Sequence, residues 1–239
     1  MANNKGRRAI GAIVVLIGAI LLIVAAFMPW YTIQASGYGN TITQNSYPGI
    51  PTSNGTIQYS CSGSAISCPS QTSYHDSKLD NTGNLAEAGY FMAIVGFILG
   101  LVGAILGIAS RGNSRRAGPA VALAIVAMLL AIVAVGMFAG LLPGALKNDL
   151  KSPSGSGPWS SFFGSANQTG FNGLPVPTSD TWGPGAGWYI AIAAFIVLLI
   201  GAVLILMSRK DAAPAPVTTP APTSTSAPAG VPPSSPPSS

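Results

Sequence analysis

The sequence predicts an all-α membrane protein: a four-transmembrane-helix bundle carrying a small disulfide-bearing extracellular β-sheet. Three observations carry that expectation. Of 239 residues, 49% are hydrophobic and only 7% charged, where soluble domains carry roughly 25% charged residues. Four apolar stretches, 9–30, 87–110, 119–142 and 187–208, each hold about 20 residues without an internal charge, enough to cross a ~30 Å hydrocarbon core as a helix. Two long polar stretches, 31–86 and 143–186, separate them, and the first contains both cysteines, Cys61 and Cys68.

The first eight residues carry Lys5, Arg7 and Arg8. With Arg111, Arg115, Arg116, Arg209 and Lys210 they put eight basic residues on one side of the four spans, against Lys78, Lys147 and Lys151 on the other. Asp76, Asp80, Glu87, Asp149 and Asp180 also fall on the second side. By the positive-inside rule both termini are cytoplasmic and both long loops face outward, in a multi-pass protein of the plasma (cell) membrane. The basic clusters are thereby read as topology determinants, not as a nucleic-acid surface. The first span, 9–30, is longer than the h-region of a cleaved signal peptide, so a retained helix is expected, and cleavage would leave the loops outside all the same.

Small residues recur along the spans. Gly96, Gly100, Gly103 and Gly107 mark one face of the second, and Ala120, Ala124, Ala127, Ala131 and Ala134 mark the third. Gly11, Gly18 and Ala25 repeat every seven residues in the first. Such stripes let helix backbones approach closely in lipid, either within the bundle or between proteins. Asn84 with Glu87 resembles a capping box opening the second span. Pro119 suits the first turn of the third, and Pro143-Gly144 is expected to end or bend it. Trp30, Trp188 and Tyr189 fall at the outer boundary as interface anchors, along with Tyr31 and Tyr90.

In the loop 31–86, alternating β-formers at 31–35 and 55–61 predict short antiparallel strands. Cys61 and Cys68 suit a tight disulfide-closed hairpin, worth roughly 2–3 kcal/mol for so short a loop. Two cysteines and one histidine, His75, cannot supply a four-ligand zinc site. The loop 143–186 is soft in composition yet carries Trp159, Phe162, Phe163, Phe171 and Trp182, a candidate contact surface that either packs on the first loop or meets a partner or lipid headgroups. Asn54 and Asn167 open N-glycosylation sequons on the two loops. The segment 209–239 is a Pro/Ala/Ser/Thr-rich cytoplasmic tail whose composition predicts disorder.

No ionisable residue lies inside a span, which counts against a pump or ion-coupled transporter. Walker, HExxH and nucleophile-elbow motifs are absent, and His75 beside Asp76 is a pair in sequence only. No cofactor and no catalytic residue is expected.

The first span ends Phe27-Met28-Pro29-Trp30, a larger two-cysteine outer loop follows, and Leu85-Ala86-Glu87-Ala88-Gly89-Tyr90-Phe91-Met92 leads into the second span. Asp76-Ser77-Lys78-Leu79 precedes it, and the fourth span opens Gly187-Trp188 and carries Gly201. This layout resembles the claudin-like family of four-helix membrane proteins, which includes peripheral myelin protein relatives. Gly55-Thr56-Ile57-Gln58-Tyr59-Ser60 stands where claudins place a Gly-Leu-Trp triplet before their first cysteine. The resemblance implies a left-handed bundle topped by a disulfide-bearing sheet. The expected function is non-enzymatic: outer loops that mediate lateral assembly or adhesion between cells or envelope layers. The expected partners are the lipid bilayer, further copies of the chain or other membrane proteins. An accessory subunit docking through the glycine face of the second span is the alternative, with a small-molecule channel or transporter behind it.

Overall fold

The computed structural model describes residues 3–37, 40–48, 56–63, 71–110, 117–151, 157–169 and 177–210. Among them are four helices long and apolar enough to cross a membrane: α1 (Asn3–Phe27), α2 (Asp80–Ala109), α3 (Ala117–Asp149) and α4 (Ala186–Lys210). A helix satisfies every backbone group within its own segment, so apolar runs of this length settle on it in lipid. Each helix packs on two neighbours, in the ring order α1, α2, α3, α4 and back to α1.

Small residues set the helix spacing. On α2, a Cβ added at Gly100 or Gly107 would lie 2.9 Å from the Ala19 or Ala12 Cβ of α1. One at Gly103 would lie 3.2 Å from the Ala120 carbonyl oxygen of α3, and one at Gly96 3.0 Å from Leu22. Ala120, Ala124, Ala127, Ala131 and Ala134 are all buried. The tightest crossing joins α1 to α4, where a Cβ at Gly201 would meet the Val15 backbone nitrogen at 2.9 Å and the Gly11 carbonyl oxygen at 3.0 Å. The glycine face of α2 is therefore packed inside the bundle, against α1 and α3.

Two element boundaries differ from expectation. α2 begins at Asp80, seven residues before Glu87, and Leu79, the residue preceding it at the cap position, makes no side-chain cap. The cap comes from another helix: the Asp149 carboxylate ending α3 accepts from the backbone amides of Asn81 (3.0 Å) and Thr82 (2.8 Å) and from both their side chains. A carboxylate there also opposes the positive end of the helix dipole. α3 runs through Pro143 to Asp149 instead of ending there. Leu142 and Leu146, either side of that proline, are buried in the core. Their burial, with the Asp149 contacts, offsets the roughly 3 kcal/mol that an internal proline costs a helix. At the opposite end of the bundle Arg8 is buried, and its guanidinium donates to the Ser208 carbonyl and hydroxyl oxygens, both at 3.2 Å, at the C-terminal end of α4.

Six strands form one antiparallel sheet at the end of the bundle where α1 finishes and α4 starts: β1 (Tyr31–Gly37), β2 (Asn40–Tyr47), β3 (Thr56–Ser62), β4 (Gln71–Ser73), β5 (Gly164–Thr169) and β6 (Pro177–Pro184). Their order is β4-β3-β2-β1-β6-β5. The second long loop, expected to be soft, thus supplies a hairpin that extends the sheet of the first, through pairs such as Ile33 with Trp182 and Gln34 with Thr181. The join is anchored where α1 leads into β1 and β6 into α4. The Gly187 amide donates to the Pro29 carbonyl at 2.8 Å and the Gly185 amide to the Trp30 carbonyl at 2.9 Å. No side chain fits at Gly187: a Cβ would lie 2.6 Å from the Trp30 ring and 2.8 Å from the Met28 carbonyl oxygen.

Candidate contact surface

The two faces of the sheet differ in chemistry because side chains alternate along each strand. On the inner face Tyr31, Ile33, Ala35, Ile42 and Ile57 are buried, and Trp182 joins them from β6. Tyr31, Ile33, Ile57 and Trp182 share one core with Leu85 and Ala86 of α2 and with Phe138, Leu142 and Leu146 of α3. The sheet is thereby seated on the helix ends as a rigid platform.

The outer face is polar and uncharged among the described residues. Register across the strands aligns Thr32 with Asn45, Gln58 and Gln71, then Gln34 with Thr43, Ser60 and Thr181, then Ser36 with Thr41, Ser62 and Ser179. Ser165 and Asn167 extend the rows onto β5. All are exposed or half-buried. Thr32 Oγ1 donates to Asn45 Oδ1 at 3.1 Å, and the Ser36 and Thr41 hydroxyls lie 3.3 Å apart. Asp180, the charged residue of β6, is 0% exposed on the inner face, aligned with Ala35 and Ala166. Burial pushes the Tyr31, Tyr59 and Tyr74 hydroxyls above the usual phenol range, so all three stay neutral.

The aromatic residues singled out in the sequence separate into three roles. Trp30 is a core residue, 1% exposed, with its indole N–H on the Ala25 carbonyl (2.8 Å) and its ring edge-on to Phe138 at 5.3 Å. It is not an interface anchor, because the α1–β1 turn folds it under the sheet. Tyr31 and Tyr90 are likewise buried. Trp188 is half-buried and donates to the Val135 carbonyl of α3 at 3.2 Å, whereas Tyr189 points outward. In the second loop Phe162 packs on Tyr31 and Trp188, with ring centroids 5.6 and 5.5 Å away, and Trp159 flanks the same core. Trp182 is buried in β6, while Phe163 is 72% exposed. Phe171 lies outside the described residues.

His75 does not pair with its neighbour. Its Nδ1 lies 2.9 Å from Asp80 Oδ1, and Asp76 instead accepts from the Ser73 hydroxyl at 2.6 Å. The hydrogen bond to Asp80, then the charge of that carboxylate, raises the His75 pKa above its ordinary value. Among the described residues no three His, Cys, Asp or Glu side chains group where they could hold a metal ion. Cys61 stands half-buried on β3 beside Ile42, and Asn167 is exposed on the edge strand β5. Cys68, Asn54, the basic residues at 111–116 and the tail from 211 lie outside the described residues.

Two residues with structural work, Asp149 and Asp180, entered the sequence reading only as outer-side acids. For Asp180 a signal existed: it alternates with Trp182 in a period of two, which places both on one strand face. Nothing local connects Asp149 with Asn81, 68 residues away. No protein-family model matches this chain, and no curated protein matches it in sequence.

Proposed function

We propose that the chain is a non-enzymatic, claudin-like membrane protein whose outward sheet face is a protein-contact surface, used in lateral assembly or in adhesion between cells or envelope layers. The observation that carries this reading is the outer face itself. Five of its six strands present rows of Ser, Thr, Asn and Gln, β4 adds Gln71, and both loops contribute. Interface cores are depleted in charged side chains. Short hydroxyl and amide side chains lose less rotamer entropy on being ordered than Lys, Arg or Glu would. A partner docking here would hydrogen-bond to a prearranged surface whose rigid backing is the aromatic core below.

Two finer features belong to the same proposal. A Cys61–Cys68 disulfide closes the chain after β3 and holds the β3–β4 edge of the platform; Cys61 is placed on that strand and faces the core side. The same reading puts the helix ends opposite the sheet in the cytoplasm of the plasma membrane and the sheet outside; the excess of eight basic residues on one side of the four spans in the sequence supports it.

The test is residue-specific photo-cross-linking in native membranes, from Gln34, Gln58 or Thr181 on the outer face and from Ile200 on α4. Protein adducts from the three sheet positions, with lipid adducts alone from Ile200, are expected. Protein adducts from none of the three sheet positions would contradict a contact role.

A further inference from the structure

At the sheet-side end of the seam between α3 and α4 lies a groove of about 650 Å³, lined by Ala139, Phe162, Phe163, Trp182, Trp188 and Tyr189. This volume falls within the roughly 300–1,000 Å³ typical of small-molecule sites. We propose that the groove takes an acyl chain of a membrane lipid from the leaflet on the sheet's side.

The wall chemistry selects an apolar occupant. Both indole N–H groups are already committed, Trp188 to the Val135 carbonyl at 3.2 Å and Trp182 to the Ser161 carbonyl at 3.1 Å. Among the described residues no charged side chain lines the groove, so none of them would recognise a phosphate or an ammonium headgroup. What remains is ring faces and edges, with Gly183 and Pro184 of β6 and the small side chain of Ala139 between them.

Position decides which apolar occupant. Tyr189, on one wall, heads the outward row Ile196, Ile200, Val203 and Met207 of α4, all exposed. On the other side Ala139 follows the exposed α3 residues Leu129, Ile132 and Val133, and at Gly136 an added Cβ would meet nothing within 4 Å. These two rows are the surfaces that face acyl chains in a spanning bundle. The groove is their continuation toward the sheet, and lipid reaches it without leaving the membrane. Phe163, strongly exposed in the isolated chain, closes over a chain lying there.

The inference rests on the groove and on the spanning helices that flank it, and stands whether or not the outer sheet face binds a protein. To test it, the full chain is reconstituted in phosphatidylcholine vesicles doped with phosphatidylcholine carrying a diazirine on one acyl chain. After photolysis the adducts are mapped by mass spectrometry. Adducts are expected at 162–163 and 182–184, loop and sheet residues that a lipid annulus around the helices would not touch, as well as at Ile196 and Ile200. Ala139→Phe, which fills the space that small side chain leaves, should lose the adducts at 182–184 and keep those at Ile196 and Ile200. Wild-type adducts confined to the helix rows would overturn the proposal, as would undiminished adducts at 182–184 in a folded Ala139→Phe. The wild-type map decides alone if that variant fails to fold.

Discussion

Gly201→Ala is the sharpest probe of how this bundle is held together. The added methyl would sit 2.9 Å from the Val15 nitrogen and 3.0 Å from the Gly11 carbonyl oxygen. Both are backbone atoms that no rotamer change can move, so α1 and α4 must separate by several tenths of an ångström along their whole crossing. Overpacking of this kind costs roughly 1–3 kcal/mol. Alanine returns up to about 1 kcal/mol of helix propensity over glycine, leaving a net loss of up to about 2 kcal/mol, and a gap of about 1–3 kcal/mol from an alanine that gains the propensity without the clash. Gly136→Ala and Gly140→Ala are the matched controls, because a Cβ at either meets nothing within 4 Å. They should be neutral or slightly stabilising. Thermal unfolding in mild detergent reads all three: Gly201→Ala melts below both controls. A Gly201→Ala protein as stable as the controls would refute the claim that the α1–α4 backbone contact sets the helix spacing.

Other perturbations reach different parts of the structure. Asp149→Ala removes the cap that α3 supplies to α2 and should cost about 0.5–2 kcal/mol, with faster hydrogen exchange at the Asn81 and Thr82 amides; unchanged protection there would show the cap to be idle. Arg8→Ala frees the Ser208 end of α4 and should destabilise by roughly 1.5–3 kcal/mol, as for hydrogen bonds to a charged group; denaturant titration in detergent measures it. His75 is the only histidine, so its imidazole NMR signal is unambiguous and should titrate above about 6.5, returning toward that value in Asp80→Asn. Because its folded pKa is the higher one, the pair's contribution to stability is complete below the unfolded pKa and fades as pH rises through the folded one. Non-reducing peptide mapping of exported protein should recover Cys61 joined to Cys68; free thiols there would remove the disulfide.

Much of this molecule was legible in its residues. Four apolar runs without internal charge specify spanning helices by length alone, and the glycines of α2 and alanines of α3 marked the faces that pack. The alternations at 31–35 and 55–61 became β1 and β3. Position-specific packing was not legible. Trp30 carries every local mark of an interface anchor, yet the turn after Phe27 folds it beneath the sheet, a placement set by Gly185 and Gly187 more than 150 residues later. Pro143 reads as a helix end or bend, and it is Leu146 and Asp149 beyond it, through contacts with the core and with α2, that keep α3 going. The hairpin of β5 and β6 was hidden because Gly164–Thr169 has little intrinsic strand preference and owes its conformation to β6. The hairpin also decided the contact surface, since without it the polar face would stop at β1.

Charge placed on the outer sheet face, the proposed contact surface, gives the most direct measurement of whether that face is used. Adducts captured from a photoreactive residue at Gln58 are counted in native membranes, with and without Gln34→Lys and Thr181→Lys, two exposed and directly paired positions on β1 and β6. Like charges set side by side on a hydrogen-bonding surface should repel or desolvate poorly against any partner, so loss of the protein adducts is expected while amide protection in the sheet persists. Protein adducts at Gln58 undiminished in the doubly charged chain would contradict that role.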